Sequence, residues 1–305
     1  MKKFLIHTAI ALLGLIAINV LIHIGIGPDN DGNLSALLSK KELLRNMEGQ
    51  RLILVGGSSV VYGYESNRIE EATGIPVINA GLHAGLGLDF YSNFIKAHVR
   101  TGDKVVLIPE YNLLVRKPRA NRVFYLAGEL APEVLAYKPE GRGWINRVKV
   151  FVIINNLKVR RLILEVLGVE DQELTRASVS EKGDILNNDG QKPKSRIHAF
   201  SSVPEEIPEE VIHLINELHS HLAERGVELY ISYPPLASIE YTDDVGVAQM
   251  DSELKNKLIT ILLNTPTDQR YNNDLFFDTY YHLNGEGRKL NTGRFLDVYN
   301  VSVSK

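Results

Sequence analysis

The sequence predicts an α/β domain built on a mainly parallel sheet and preceded by one transmembrane helix. Three observations carry that expectation: an uninterrupted apolar N-terminus, short apolar runs alternating with amphipathic segments, and a glycine-serine turn closing the first such run. With 305 residues and 44% hydrophobic content, the chain can bury a substantial core, and one large domain is favoured over two equal ones.

The elements follow in order. After Met1-Lys2-Lys3, the stretch from Phe4 to Gly27 contains no Asp, Glu, Lys or Arg, and its length suits a bilayer core of roughly 30 Å. Residues 1–27 therefore read as a membrane anchor, with the membrane contacted through residues 4–27. Lys2 and Lys3 lie before the segment and Asp29 and Asp31 after it, which directs the remainder of the chain to the periplasmic or extracellular side. A cleaved signal peptide is the alternative, although no small-x-small site follows the apolar run; a buried helix of a soluble protein is the third reading. His7, Asn19 and His23 read as tolerated or interfacial polar residues within the segment. Residues 28–50 form a polar tether and a short helix, with Leu34, Leu37, Leu38, Leu43 and Leu44 available to lie against the domain.

The domain proper is expected over 51–305. Strand-like runs occur at Leu52 to Val55, Val77 to Asn79, Lys104 to Ile108 and Val227 to Ser232. Helical segments follow Ser59, run from Asp89 to Val99, and extend from about Pro208 to Arg225. This alternation predicts a parallel sheet covered on both faces, whose active sites gather at the carboxyl ends of the strands. Residues 113–202 break the rhythm and read as an insertion over the active-site face. It holds a helical run from Ile145 to Leu167 and a mobile loop at Asn187-Asn188-Asp189-Gly190. Its basic residues, Arg147, Lys149, Lys158, Arg160 and Arg161, suit a solvated helix face, an acidic glycan or anionic lipid.

Composition narrows the chemistry. A net charge of −3 gives no global electrostatic case for nucleic acid, and the absence of cysteine excludes thiol chemistry. The histidines and carboxylates show no metal-ligand spacing, so neither metal nor cofactor is expected. The glycine-rich stretch from Leu82 to Leu88 lacks the Gly-Lys-Ser/Thr of a P-loop.

What remains is the pairing of Gly56-Gly57-Ser58-Ser59 with Asp278-Thr279-Tyr280-Tyr281-His282. A serine hydroxyl attacks only as a base removes its proton, a role for His282; a carboxylate on the other ring nitrogen fixes the tautomer, a role for Asp278, with Asp274 in reserve. Glycine and serine after a strand are also ordinary turn residues, and such a turn can bind an anion at a helix start. Tyr62, His83, Glu110 and Tyr233 are further candidate substrate contacts. Near an oxyanion, the Glu110 charge would hinder catalysis unless neutralised or turned away.

Gly57-Ser58-Ser59-Val60-Val61-Tyr62-Gly63 resembles the GDSxxxG block of the SGNH, or GDSL, hydrolase superfamily, with Ser58 in place of the aspartate. The resemblance implies Ser59 as nucleophile. Asn79-Ala80-Gly81 resembles the second block, whose glycine N–H serves the oxyanion, and Asn112 takes the place of the third-block asparagine, although Pro109-Glu110-Tyr111 replaces the glycine-containing lead. Asp278 and His282 resemble the last block, with DxxxH where DxxH is usual. The resemblance covers most of 51–116 and 203–300 and implies a three-layer α/β/α sandwich, SGNH- or flavodoxin-like. It further implies an oxyanion hole of Ser59, Gly81 and Asn112, and an acyl-enzyme mechanism on an ester. Similarity to anchored members that modify cell-surface polymers points to an acylated envelope or exported glycan, with a membrane-embedded acyl donor protein as candidate partner. The alternative is a degenerate domain of the same kind that binds glycan or an assembly partner.

Overall fold

The computed structural model describes residues 1–28, 30, 34–115, 122–137, 144–168, 174–186, 206–238 and 244–303. The expected loop at Asn187 to Gly190 lies outside them. The architecture is α/β with a mainly parallel central sheet and one N-terminal apolar helix. That helix, α1 (Lys2–Gly25), buries none of its residues. It is long and apolar enough to cross a membrane, which suggests anchoring.

Helix α2 (Ala36–Asn46) then leads into β1 (Leu52–Gly56), α3 (Ser58–Gly63), α4 (Ser66–Thr73), β2 (Val77–Asn79), α5 (Leu88–His98) and β3 (Lys104–Ile108). The long stretch between β3 and the next strand contains α6 (Tyr111–Leu114), α7 (Arg122–Leu130) and α8 (Trp144–Val166). The chain returns through α9 (Glu209–Ala223) to β4 (Glu228–Ile231), then β5 (Leu236–Ala237), α10 (Asp244–Lys257), β6 (Ile261–Leu262), β7 (Arg270–Tyr271) and α11 (Gly285–Val303). The main sheet has the order β2-β1-β3-β4-β6 with every pair parallel, and β5 pairs with β7 apart from it.

Strand periodicity sorts the core into two halves. Ile53, Val55, Val105, Leu107, Leu229 and Ile231 enter one cluster, together with residues of α2, α5 and α9. Leu52, Leu54, Val106, Ile108 and Tyr230 enter the other, with Ile69 of α4 and Phe295 and Tyr299 of α11. Both faces of the sheet are thus buried, as parallel pairing requires, because its strands have no solvated side.

Beneath the sheet's amino end lies a buried ion pair. Arg51 is fully buried and donates through Nε to Asp103 Oδ1 at 3.0 Å and through Nη2 to Asp103 Oδ2 at 2.5 Å. It also donates to the carbonyls of Leu44 and His98, so one guanidinium joins α2, α5 and the starts of β1 and β3. Removing one partner of such a pair strands a buried charge. Arg51→Met should therefore destabilise the domain by about 3–5 kcal/mol in denaturant titration, and adding Asp103→Leu should recover part of the loss.

Candidate functional site

The cleft forms where the carboxyl ends of β1 and β3 meet the loop between β7 and α11. Beyond β1 the chain turns at Gly57, the extended residue that caps α3, with φ −73° and ψ −163°. A side chain at 57 would collide with Glu110, since its Cβ would lie 2.3 Å from Oε1. Ser58 then opens the helix and faces the cleft, half-buried, while Ser59 is wholly buried. Consecutive helical residues project about 100° apart, so only one of the two serines can face outward.

His282 selects Ser58. Its Nε2 lies 2.7 Å from Ser58 Oγ, and its Nδ1 lies 2.7 Å from Asp278 Oδ1. The expected pairing with Ser59 is not formed: Ser59 Oγ is buried and has no hydrogen-bond partner among the described residues. A four-residue offset brings Asp278 and His282 together because a tight loop lies between them. Phe277 N–H donates to the His282 carbonyl at 2.8 Å, and Thr279 Oγ1 accepts the amides of Tyr281 and His282. That loop accommodates the extra residue of DxxxH. Asp274 is exposed and does not pair with His282; its carbonyl accepts from Asn284 Nδ2.

Tyr62 stacks on the imidazole, with ring centroids 4.1 Å apart and planes 8° from parallel. It therefore fixes the orientation of His282 as well as lining the cleft. Spacing alone could not have revealed this, since position 62 is a helix neighbour of both 58 (i,i+4) and 59 (i,i+3).

The expected oxyanion donors are otherwise engaged. Gly81 N–H donates to Asn79 Oδ1 at 3.1 Å. Its missing side chain serves packing, because a Cβ there would sit 2.6 Å from that of Val60. Asn112 lies in α6, outside the cleft lining, and its Oδ1 is buried without a partner among the described residues. The Ser59 N–H is correctly placed at the helix start but donates to Glu110 Oε1 at 3.0 Å. That same oxygen lies 3.4 Å from Ser58 Oγ. Glu110 is buried, and desolvation raises its pKa above the ordinary carboxylate range against the opposing hydrogen bond from the Ser59 N–H. The helix-start amide is thus occupied by a side chain of the protein itself.

His83 lines the cleft and is exposed; its Nδ1 accepts from Gly85 N–H at 2.9 Å, which leaves the proton on Nε2. Tyr233, expected as a substrate contact, instead lies in the core and donates its hydroxyl to Asp251 at 3.0 Å. Leu174, Thr279, Tyr280 and Tyr281 complete a cleft of about 230 Å³. A larger groove of about 560 Å³ lies between α2 and the end of α5, but its Lys41, His98 and Glu133 pair with one another and it holds no nucleophile beside a base.

A buried polar bracket under α3 fixes the serine turn, and sequence reasoning missed most of it. Asn79 Nδ2 donates to the Val60 carbonyl at 2.9 Å and to Asp184 Oδ1 at 2.8 Å. Asp184 also receives both the amide and the hydroxyl of Ser66, at 2.9 and 2.6 Å. Lys40 of α2 donates to the carbonyls of Asn79 and Gly183 at 2.9 and 2.7 Å, and burial pulls its pKa down to about 7 against the attraction of Asp184. The 178–186 segment of the insertion thereby packs beneath the site.

The Glu110 carboxyl sets a pH dependence with a definite sign. As pH rises, the unfolded chain ionises Glu110 first, so the native state loses stability between the ordinary carboxylate pKa and the raised native one. Glu110→Gln abolishes that loss. Its stability relative to wild type should therefore increase from about pH 4 upward and then level off, as read by denaturant midpoints at a series of pH values. Parallel profiles would show that the carboxyl ionises as readily in the native state as in the unfolded one.

Comparison of the chain with protein-family models, with curated proteins and with solved structures finds no match, so the residues and their geometry carry the functional reading.

Proposed function

We propose that this chain is a membrane-anchored serine esterase or O-acyltransferase of SGNH-like, three-layer α/β/α architecture, with Ser58 as nucleophile. The observation that carries the reading is the continuous Asp278–His282–Ser58 relay at 2.7 Å per contact. His282 Nε2 takes the Ser58 proton as Oγ attacks the ester carbonyl, and Asp278 holds the proton on Nδ1 and stabilises the imidazolium. The same proton then passes to the departing alkoxide, leaving an acyl-serine. Water or a sugar hydroxyl, deprotonated by His282, releases the acyl group.

The oxyanion requires donors, and the Ser59 N–H becomes one when Glu110 yields its place. Burial favours the protonated Glu110 carboxyl, which removes the opposing charge and adds an O–H donor beside Ser58. An ester of an envelope or exported glycan is the substrate class proposed, with a membrane-embedded donor supplying acyl groups. The charge asymmetry around α1 supports a domain outside the cytoplasm. The engaged donors at Gly81 and Ser59 favour a second reading, in which the domain binds a glycan or an assembly partner without turnover.

A fluorophosphonate serine probe applied to the detergent-solubilised protein separates the two. Labelling by intact mass should be lost in Ser58→Ala and His282→Ala and retained in Ser59→Ala. Absence of labelling in folded wild type would give first place to the binding reading. Where labelling occurs, Asp278→Asn should slow it by on the order of 10³–10⁴ through loss of the correct tautomer.

A further inference from the structure

α8 is tied to α1 by the polar residues of the apolar segment. Asn155 of α8, 1% exposed, donates through Nδ2 to the Asn19 carbonyl at 2.8 Å, with Asn19 Oδ1 at 3.3 Å. His23 Nδ1 lies 3.3 Å from Asn155 Oδ1, and its ring stands 4.8 Å from that of Phe151. Arg161 reaches the Gly27 carbonyl. Polar side chains within a membrane segment are costly unless they face one another across helices, and here those in the last turns of α1 do so.

The same face of α8 is also held by the folded domain, where Lys158 pairs with Glu129 of α7 at 2.9 Å, with both side chains largely buried. Two of the five basic residues of the insertion helix are thus engaged within the chain and are not free for an acidic glycan. Beside that attached face α8 leaves an apolar stripe uncovered: Val148, Val152, Ile163 and Val166 recur at helical spacing, flanked by Leu162 and Leu167. Val166 is 80% exposed. Leu15, Ile16 and Leu21 of α1 are likewise exposed.

We propose that α8 is a second membrane-contacting helix, lying at the bilayer surface nearest the domain with its apolar stripe in the acyl layer. The occupant is the bilayer, because the helix that carries the stripe is bonded, through Asn155 and Arg161, to the domain-proximal end of a helix of transmembrane length and composition. This rests on the reading of α1 as a membrane span. Its consequence is that the domain is held to the membrane at two places, α1 and α8, in place of hanging from a single tether.

The cysteine-free chain allows a direct test. Single cysteines placed at Val152, Ile163 or Val166, and at Leu12 of α1 and exposed Glu71 of α4 as references, are labelled with an environment-sensitive nitrobenzoxadiazole dye. The full-length protein is reconstituted in phosphatidylcholine–phosphatidylglycerol vesicles with or without doxyl-labelled lipid. The α8 positions should show blue-shifted emission and a loss of intensity with doxyl lipid comparable to that at Leu12, while Glu71→Cys is unquenched. Quenching at Leu12 with water-like, unquenched α8 positions would overturn the proposal and leave the anchor intact. Water-like emission at Leu12 as well would overturn the anchor reading, and this proposal with it. Blue-shifted but unquenched α8 positions would show a protein covering the stripe and would also overturn it.

Discussion

Parallel strand pairing is the constraint on which the rest depends. It aligns the carboxyl ends of β1 and β3 at one edge, in register from Leu52 with Lys104 to Gly56 with Ile108. It also forces both faces of the sheet under cover, so every strand must be followed by a helix returning across it. The serine turn after β1 and Glu110 after β3 are neighbours for that reason. Their contact follows from strand register and requires no separate attraction to bring the two segments together.

Within that frame, the cleft holds two opposed electrostatic features a few ångströms apart. One is the relay from Asp278 through His282 to Ser58, which draws a proton away from the hydroxyl. The other is Glu110, whose carboxyl accepts the helix-start amide and lies beside the same hydroxyl. A carboxylate there opposes the build-up of negative charge, whereas a neutral carboxyl assists it. Burial favours the neutral form and the helix-start amide the charged one, so Glu110 sets the charge beside the Ser58 hydroxyl.

Much of the scaffold was legible in the residues. The runs at Val77 to Asn79 and Lys104 to Ile108 coincide with strands, and the segments near Asp89, Pro208 and Ile145 are helices, because hydrophobic period and length suffice to identify such elements. β6, with two residues, carries no comparable signal. The choice between Ser58 and Ser59 failed for a different reason: it turns on helix phase at a single residue, and a block alignment fixes position without fixing direction. For Gly81 and Tyr233, residue type does not reveal what a group already bonds; their partners, Asn79 and Asp251, and the Glu110 that holds the Ser59 N–H come from separate parts of the chain. The Lys40–Asn79–Asp184 bracket joins the tether, β2 and the insertion, and no local pattern announces it.

The separation of Ser58 from His282 along the chain also has a meaning in time. Synthesis delivers the amino-terminal strands first, and β1 can pair with β2 and β3 before the last quarter of the polypeptide exists. The imidazole, its carboxylate and the loop that aligns them arrive only with residues 277–282, after α9, β4 and α10 have emerged. A nascent chain can therefore begin to fold while its serine has no histidine beside it. Emergence of residues 277–282 is the event that assembles the cleft.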